Sequence, residues 1–583
     1  MRISKLGGIV LIVLDFSCEE SVISLMLQVR RGRNTYKLNL IDGRVPDNIV
    51  VDDVWYNLYA NYQEVQTVLD QSNVNETGKI TLSQYIKVKQ AGSTNPAIEI
   101  IDNAAPALAD HPAKTLDYEA PPQLKAMLYP YQKQGFQWMR FIVDSGCGCI
   151  LGDEMGLGKT LQVIALITEQ KQAGHGPALV IAPVSLLENW RREFQKFTEG
   201  IDVNVHHGST RTGLYTDLIG YDVVVISYNT AVSDQALLKM IDWHLLVVDE
   251  AQNIKNPGAM RTRSIKRIPR HTAIAVTGTP FENHMTDLWS LMDFIAPGSF
   301  GKLSEFEAEF TDDIDGAARL EPYLTPLMIR RRVSEVAQDL PERIDVPQVL
   351  KFTEAETGDY ERQREDILES FNGKNATLPM LQKLRMYCTH PDLLDQNDCP
   401  DPAQVSSKYQ RLCELLEEII ALREKTILFT SYNRMFDILR TDISRRFGIP
   451  VLAINGSTPT EERQPIIDRF SAVQGAALLV LNPRAAGAGL NITAASRVIH
   501  YNLEWNPSLE DQASARAYRR GQDKTVFVYR LFYKDTVEEI INERIEKKRS
   551  MFDAAVIGTD GITENSEDII RALMISPGGH RHD

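Results

Sequence analysis

The chain has 583 residues, of which 43% are hydrophobic and 24% are charged. This composition is typical of a globular protein and excludes a largely disordered one, and the length predicts about three or four domains. With 78 acidic and 63 basic residues the formal net charge is −15, which argues against a protein that coats nucleic acid nonspecifically. Any nucleic-acid surface must therefore be a local basic track on an acidic body.

The first apolar run, residues 8–14, follows Arg2 and Lys5. It is too short to span a membrane and lacks a signal-peptide cleavage site, so we predict a buried strand and no membrane association. The cysteines show neither a Cys-x-x-Cys pair nor histidine partners at zinc spacing, which favours reduced, mostly buried thiols in a cytoplasmic protein. They are Cys18, Cys147, Cys149, Cys388, Cys399 and Cys413.

Residues 1–120 contain short apolar or alternating runs at 24–29, 36–41 and 80–88, separated by polar turns. This pattern predicts a small mixed or β-rich accessory domain of unknown role, with no visible chemistry. Its end, residues 103–122, is rich in Ala, Pro and Asp and is typical of a linker.

Residues 121–300 alternate apolar strands with amphipathic helices, which predicts an α/β lobe with a parallel sheet. A more helical and polar stretch, residues 301–400, is interpreted as a helical insertion and linker. The alternation returns in residues 401–545, the predicted second lobe, and residues 546–583 are interpreted as a brace and tail. The predicted strands are 149–151, 178–182, 223–226, 245–248, 273–276, 426–429, 451–454, 477–480 and 497–500.

A glycine-rich turn, residues 152–160, lies between the strand at 149–151 and a predicted helix from Leu161. Such a turn leaves backbone N–H groups free at the positive end of a helix, so it is suited to phosphate. Lys159 is expected to reach the β- and γ-phosphates of a nucleotide and Thr160 to ligate Mg²⁺. Asp153 stands where the usual pattern has its first glycine, and a solvated turn is the alternative for this stretch alone.

Two adjacent carboxylates, Asp249 and Glu250, follow the apolar strand at 245–248. Asp249 is suited to holding Mg²⁺ and Glu250 to orienting and deprotonating an attacking water. The alternative is an ordinary solvated strand end. Ligands of parallel α/β lobes bind at the carboxyl ends of the strands, which is where both motifs stand.

Four stretches, residues 153–160, 249–252, 277–280 and 511–522, together resemble the Swi/Snf-like ATPases of helicase superfamily two, the DEAD/DEAH-related DNA translocases. The resemblance extends from about Leu128 to Phe532 with the motifs in the family's order. It implies an α/β fold of two RecA-like parallel-sheet lobes with helical insertions, a prokaryotic member, and use of ATP and Mg²⁺.

The resemblance also implies roles for individual residues. The catalytic set is Glu250 and Lys159 in lobe one and the arginine fingers Arg516 and Arg519 in lobe two, which share a face if their segment is helical. Gln132 is the candidate for adenine recognition, with a helix-capping turn as its alternative. The remaining nucleotide-binding candidates are Asp153, Gly156, Leu157, Gly158, Thr160 and Gly489.

Further candidates follow strands of the two lobes and would contact the DNA backbone. Trp190 is assigned to core packing and His390 to capping or packing rather than metal binding. The run Arg330 to Arg332 is either a family element or a solvated basic helix face. The DNA-contact candidates are Ser185, Ser227, Tyr228, Ser431, Asn433, Asn455 and Arg484.

We therefore predict an ATP-dependent translocase on double-stranded DNA that remodels or displaces DNA-bound proteins, in the cytoplasm at the nucleoid. A protein partner or a DNA-bound protein cargo is expected. Two alternatives stay open: a strand-separating helicase, and a nucleotide-dependent DNA clamp within a multi-protein complex.

Overall fold

The computed structural model describes residues 2–3, 11–19, 22–31, 34–51, 53–58, 61–93, 95–109, 118–278, 285–311, 314–337, 340–370, 377–395, 401–486, 492–505, 507–554, 575 and 577. The chain divides into two compact units, the first built mainly from residues up to 331 and the second mainly from residues after it. Outside the described residues lie Thr279, Pro280, Cys399, Gly489, residues 110–117 of the predicted linker, and most of the predicted brace and tail.

The first unit begins with two small sheets, in strand orders β1-β6-β5 and β4-β3-β2-β8, with β7 added to β3. Asn61 connects strand β2 to the region after α2, because its side chain accepts from Ile12 N and donates to the carbonyls of Ile12 and Ala97. The strands are β1 (Arg2–Ile3), β2 (Leu11–Glu19), β3 (Val22–Arg31), β4 (Asn34–Leu38), β5 (Asn48–Val51), β6 (Val54–Asn57), β7 (Gly78–Ile80) and β8 (Glu99–Asp102). The helices are α1 (Tyr62–Gln71), α2 (Leu82–Ser93) and α3 (Ala105–Ala109).

The prediction of a buried strand in the first apolar run is confirmed for its described part, since Ile12 and Leu14 of β2 are fully buried. Within the domain predicted as mixed or β-rich, most of the apolar run at 80–88 belongs to helix α2 rather than to a strand. Its buried positions Leu82, Tyr85 and Ile86 have the spacing of a helix face rather than of a strand.

Lobe one, also in the first unit, is a seven-stranded parallel sheet in the order β11-β12-β10-β13-β14-β9-β15. Every residue of β10 and β12 is buried, as expected for strands covered on both faces. The strands are β9 (Cys149–Leu151), β10 (Ala178–Ala182), β11 (Val203–His206), β12 (Val223–Ser227), β13 (Trp243–Asp249), β14 (Arg270–Val276) and β15 (Met328–Ile329). The helices are α4 (Pro130–Asp144), α5 (Lys159–Gln172), α6 (Leu187–Phe197), α7 (Tyr215–Leu218), α8 (Tyr228–Ser233), α9 (Gln235–Leu238), α10 (Met260–Lys266), α11 (Met285–Ile295), α12 (Leu303–Glu309) and α13 (Ile314–Leu324).

Lobe two, in the second unit, is a six-stranded parallel sheet in the order β16-β21-β20-β17-β19-β18. The strands are β16 (Arg343–Leu350), β17 (Lys425–Phe429), β18 (Val451–Ile454), β19 (Ala477–Leu481), β20 (Arg497–His500) and β21 (Val526–Tyr533). The helices are α14 (Val333–Val336), α15 (Glu354–Ser370), α16 (Thr377–Thr389), α17 (Asp392–Asp395), α18 (Ser407–Ala421), α19 (Asn433–Phe447), α20 (Thr460–Ala472), α21 (Pro483–Ala486), α22 (Pro507–Ser514) and α23 (Val537–Ala554).

The predicted fold class, α/β with two parallel-sheet lobes, is confirmed, and each of the nine predicted strands lies within an observed one. Strands β11, β15, β16 and β21 of the two sheets were not predicted. The stretch interpreted as a helical insertion thus supplies β15 to the sheet of lobe one and β16 to that of lobe two. Strand β16 alternates between half-buried and exposed residues and contains Pro347, which is tolerated at a sheet edge.

Two predictions about side chains outside the site can be compared with the structure. No described cysteine forms a disulfide, and Cys147, Cys149 and Cys388 are buried. His390 is fully buried and packs as expected: its Nε2 lies 3.2 Å from the carbonyl oxygen of Pro402, and its Nδ1 accepts from Asp392 N.

In the described part of the chain no helix has the length and apolar character needed to cross a membrane.

Candidate active site

The phosphate-binding loop, residues 152–160, connects β9 to α5, as the sequence predicts. Gly156 has φ +90° and Gly158 has φ +73°, a backbone conformation that favours glycine. Gly158 is the N-cap of α5, so the free N–H groups of this helix point out of the loop. A Cβ at Gly158 would lie 2.5 Å from Nε2 of Gln132, so the loop also packs closely against α4.

Lys159 and Thr160 are the first two residues of α5, and both are half-buried. The Lys159 ammonium donates to the carbonyl oxygen of Asp153 at 2.7 Å, so the side chain folds back over its own loop. Thr160 presents its hydroxyl from the first helical turn, as a magnesium ligand requires.

Asp153 differs from its predicted role as a nucleotide-binding residue. Its side chain is fully buried and forms a bidentate ion pair with Arg331, with Nε 2.9 Å from Oδ1 and Nη2 2.5 Å from Oδ2. Gln162 Nε2 donates to the same Oδ2 at 3.1 Å. The carboxylate therefore faces the interior rather than a phosphate, and only the backbone of Asp153 faces the loop.

Asp249 and Glu250 stand at the carboxyl end of β13, as predicted. The indole Nε1 of Trp190 donates to Asp249 Oδ2 at 2.9 Å. Burial and the adjacent Glu250 carboxylate raise the pKa of Asp249 to about 7, although the Trp190 hydrogen bond and Lys159 lower it. A cation at this carboxylate would remove the unfavourable electrostatics, which is the character expected of a metal ligand.

Glu250 has φ +52°, a conformation that is uncommon for a residue with a side chain. The turn is held by Tyr228, whose hydroxyl donates to the backbone oxygens of Asp249 at 2.5 Å and Glu250 at 3.1 Å. Asn253 Nδ2 also donates to the Glu250 carbonyl oxygen at 2.8 Å. These contacts fix the direction in which the Glu250 carboxylate projects from the strand end.

The positions of Tyr228 and Ser227 contradict their predicted role as DNA contacts. Tyr228 is 5% exposed, and its hydroxyl serves the Asp249–Glu250 turn. Burial and the two neighbouring carboxylates raise the pKa of Tyr228 well above its usual value. Ser227 is 1% exposed and caps α8 by accepting from Thr230 N at 3.1 Å. Both side chains are therefore buried in lobe one and form hydrogen bonds with its backbone.

Two side-chain hydrogen bonds through Gln252 link Glu250 to the residue that follows the neighbouring strand β14. Gln252 Nε2 donates to Glu250 Oε2 at 2.8 Å, and Gln252 Oε1 accepts from the hydroxyl of Thr277 at 3.0 Å. Thr277 follows β14 directly. The first residue of the predicted motif at 277–280 is thus connected to the carboxylate that we expect to activate water.

Gln132 lies in the capping turn that was its alternative interpretation. Its Oε1 accepts from Tyr129 N at 3.1 Å and so caps helix α4. At the same time its Nε2 faces Gly158 of the phosphate-binding loop. The cap therefore holds the amide beside the phosphate-binding loop, and adenine recognition by Gln132 stays a prediction.

The candidates in lobe two differ in how accessible they are. Asn433 and Arg484 are exposed. Asn455 uses its Oδ1 in its own turn, accepting from Ser457 N at 3.0 Å and from Thr458 Oγ1 at 3.2 Å. The Ser431 hydroxyl donates to Glu504 Oε1. In lobe one, Ser185 is half-buried in a short 3₁₀ turn.

Arg516 and Arg519 lie beyond the end of α22, which stops at Ser514. They occupy consecutive turns, so the condition of a shared helical face is not met. Gln522 is 6% exposed and braces these turns, since its Nε2 lies within 3.2 Å of the carbonyl oxygens of Thr493, Ala495 and Ala517. The arginines are therefore presented from a braced turn.

The residues of lobe one fit ATP with Mg²⁺. The glycine loop offers backbone N–H groups to phosphates, and Thr160 and Asp249 are the hydroxyl and carboxylate that would hold the cation. Among the described residues no group of three or more His, Cys, Asp or Glu side chains is placed to hold a metal ion alone. Mg²⁺ usually binds through one or two protein ligands together with phosphate oxygens and water.

Several residues of this site were not assigned to it from the sequence: Trp190, Tyr228, Gln162, Gln252 and Arg331. Trp190 is 1% exposed, which confirms its packing role, but its hydrogen bond to Asp249 had no local signal. Arg331 was part of the run Arg330 to Arg332, for which a solvated helix face was one interpretation. Its burial against Asp153 rules out that interpretation for this residue.

Family comparisons agree with these motifs. The SNF2-related domain matches residues 131–393, and the helicase conserved C-terminal domain matches residues 407–521. The chain belongs to the SNF2-related family. These matches identify its two lobes as the ATPase module of that family, so the prediction of a Swi/Snf-like ATPase is confirmed.

Named relatives extend this similarity. The chain is 35% identical over 478 residues to a putative ATP-dependent helicase/translocase, YwqA, of Bacillus subtilis, covering 79% of this chain and 52% of that protein. It is 31% identical over 551 residues to the Zorya protein ZorD of Escherichia coli, covering 84% and 50%. The chain thus spans about half the length of the relatives it matches. The chain is also 34% identical to the SWI2/SNF2 ATPase core of Sulfolobus solfataricus in complex with dsDNA. That match covers 79% of this chain and 100% of the Sulfolobus chain, with a TM-score of 0.40.

Proposed function

We propose that this SNF2-related chain is a motor that hydrolyses ATP with Mg²⁺ between its two lobes and uses the cycle to move along double-stranded DNA. The observation that carries the proposal is the arrangement at one edge of lobe one. Strands β9 and β13 are parallel and separated only by β14. The phosphate loop after β9 and the Asp249–Glu250 turn after β13 therefore meet at the same edge.

Each residue of this edge has a task in hydrolysis. Lys159 would bind the β- and γ-phosphates, and Thr160 and Asp249 would hold a magnesium ion, whose charge would offset that of the phosphates. Glu250 orients the attacking water and accepts its proton. Tyr228 and Asn253 keep the Glu250 backbone in its left-handed conformation. The fixed turn limits the directions available to the carboxylate.

Arg516 and Arg519 are the proposed arginine fingers. A guanidinium is planar and always charged, so it suits the charge that spreads over a transferring phosphoryl group. Fingers of this kind contribute roughly 10³–10⁵ in rate. The brace that Gln522 forms with three carbonyl oxygens holds the turn that presents them.

Double-stranded DNA is the proposed track, and a DNA-bound protein is the proposed cargo, in the cytoplasm at the nucleoid. Asn433 and Arg484 are the predicted DNA contacts with exposed side chains, and Ser185, Ser431 and Asn455 remain candidates through their backbone turns. The names of relatives, among them a helicase/translocase and an ISWI chromatin-remodeling complex ATPase of Saccharomyces cerevisiae, are consistent with such work on DNA.

The test is steady-state ATP hydrolysis without nucleic acid and with single-stranded DNA, double-stranded DNA or duplex RNA, using Glu250→Gln as the blank. We expect stimulation chiefly by double-stranded DNA, and displacement of a triplex-forming third strand without unwinding of a forked duplex. Fork unwinding with stimulation by single strands would instead indicate a strand-separating helicase. DNA binding that depends on nucleotide without turnover would indicate a clamp.

A further inference from the structure

Arg331 connects the phosphate-binding loop to three elements around it, strand β15 and helices α4 and α5. It stands two residues after the end of β15, and its guanidinium hydrogen bonds to Asp153 at the start of the loop, to Gln162 on α5 and to the carbonyl oxygen of Tyr131 on α4. The carbon at the centre of the guanidinium lies 5.4 Å from the centroid of the Tyr131 ring. The Arg331 side chain is 11% exposed and that of Asp153 is 0% exposed.

This cluster packs tightly against helix α4. Gly135 on α4 faces it directly: a Cβ there would lie 2.0 Å from Gln162 Oε1 and 2.6 Å from Arg331 Nη2. Gln162 completes the cluster, since it accepts from Arg331 Nη2 at 2.9 Å and donates to Asp153 Oδ2 at 3.1 Å. Both oxygens of the buried carboxylate are therefore satisfied by fixed donors.

Backbone hydrogen bonds also connect both partners of the ion pair to the phosphate-binding loop. Strand β15 pairs in parallel with β9, and Gly152 N donates to the Ile329 carbonyl oxygen at 2.8 Å. Asp153, the next residue, holds Lys159 through its own carbonyl oxygen at 2.7 Å. Arg331 is the last residue of this stretch assigned to the first unit, and Arg332 is assigned to the second.

We propose that Arg331 is a positioning residue for nucleotide binding: its ion pair with Asp153 holds the start of the phosphate loop, and with it Lys159, in the geometry that accepts ATP. The same contact places this loop beside the point where the chain leaves the first unit. A fork with parallel N–H donors is required, because one ammonium cannot serve the carboxylate, Gln162 and the Tyr131 carbonyl oxygen together.

The test compares Arg331→Lys, which keeps the charge but loses the fork, with Arg332→Lys, the same change one residue later. Binding of a fluorescent ADP analogue is measured without DNA, and KM and kcat for ATP are measured with saturating double-stranded DNA. We expect Arg331→Lys to weaken analogue binding and raise KM about tenfold, the effect of one lost charge-assisted contact, with kcat within about twofold. Arg332→Lys should match the unaltered protein.

A raised KM with nearly unchanged kcat distinguishes a positioning role of Arg331 from a role in stability. A variant that is merely less stable has fewer active molecules, so its kcat per mole falls while KM stays unchanged. Wild-type analogue affinity in Arg331→Lys would overturn the proposal, and so would loss of the folded lobe, which would assign the pair to stability alone. The KM arm rests on the proposed function. The analogue arm does not, so an inactive chain that still binds nucleotide would reject the motor and leave this test intact.

A second variant tests whether the two residues act as a pair. Asp153→Asn must turn its amide N–H₂ towards a donor of Arg331 in either orientation, because both carboxylate oxygens accept from that guanidinium. We therefore expect weaker analogue binding than in Arg331→Lys. The double variant should bind about as weakly as the weaker single one, because the second change removes a contact already lost. Multiplicative effects of the two changes would show that they act independently and would also overturn the proposal.

Discussion

Replacing Gly135 by Ala should destabilise lobe one, although the same change usually stabilises a helix. Gly135 lies inside α4, and in an exposed helix interior Ala is more stable than Gly by about 0.5–1 kcal/mol. Here the added Cβ would lie 2.0 Å from Gln162 Oε1, about 1.4 Å short of the ordinary contact of 3.4 Å. Gln162 would have to move away from both Asp153 and Arg331.

The size of the effect follows from the contacts that this movement breaks. Gln162 loses two buried hydrogen bonds, of 2.9 and 3.1 Å, each contributing about 1 kcal/mol. Overpacking adds roughly 1–3 kcal/mol, and the helix propensity of Ala returns up to about 1 kcal/mol. We therefore expect a net destabilisation of about 2–4 kcal/mol, which lowers the urea midpoint by about 1–2 M for a slope of about 2–3 kcal/mol/M.

Urea unfolding followed by tryptophan fluorescence measures this effect, because Trp138, Trp190 and Trp243 are buried in lobe one. Gly358→Ala is the matched control, measured by far-UV circular dichroism. Gly358 also lies inside a helix, α15, and a Cβ there would meet no atom within 4 Å. The control should be neutral or stabilising. A midpoint for Gly135→Ala at or above that of the unaltered protein would refute the packing argument.

Three further outcomes are expected. Glu250→Gln should bind ATP with nearly unchanged affinity and lose turnover, because the amide cannot accept the proton of water; turnover within tenfold of the unaltered protein would contradict this role. Arg516→Ala should lower DNA-stimulated kcat by roughly 10³ with a smaller change in nucleotide affinity, and unchanged stimulation would reject the finger assignment. Burial and the neighbouring His175 and His271 lower the pKa of His244 from 6.5 to about 4, and its ring stacks on His175 at 4.1 Å. The folded state thus binds fewer protons than the unfolded state between these pH values, so stability should fall as pH falls from about 6.5 to about 4. His244→Phe should flatten that fall in a thermal-unfolding series, and an unchanged slope would contradict the assignment.

The parts of the site that the sequence predicted are those made within a few consecutive residues. The phosphate loop needs glycines of special conformation directly before a helix, and the Asp249–Glu250 turn needs only an apolar strand and two carboxylates. The central strands were predictable for the same reason. Strands such as β10 are buried on both faces and appear as unbroken apolar runs.

The parts that only the tertiary structure decided depend on partners distant along the chain. Arg331 pairs with Asp153 across 178 residues, and nothing in the run Arg330 to Arg332 distinguishes the buried arginine from its neighbours. Tyr228 follows a strand as a DNA contact would, but the fold turns its hydroxyl to the Asp249–Glu250 turn, 21 residues away. Edge strand β16 has a half-polar pattern, and only its pairing with β21 in the fold identifies it as a strand.

The physical reason is that helix capping, glycine turns and apolar periodicity are encoded locally. The choice among several similar polar side chains is made by burial instead. A buried charge or hydroxyl must find its partner wherever the folded chain supplies one. For this protein the sequence determined the family and the two lobes, and it predicted the groups that we propose to be catalytic. The tertiary structure determined which arginine, tyrosine and glutamine hold those groups in place.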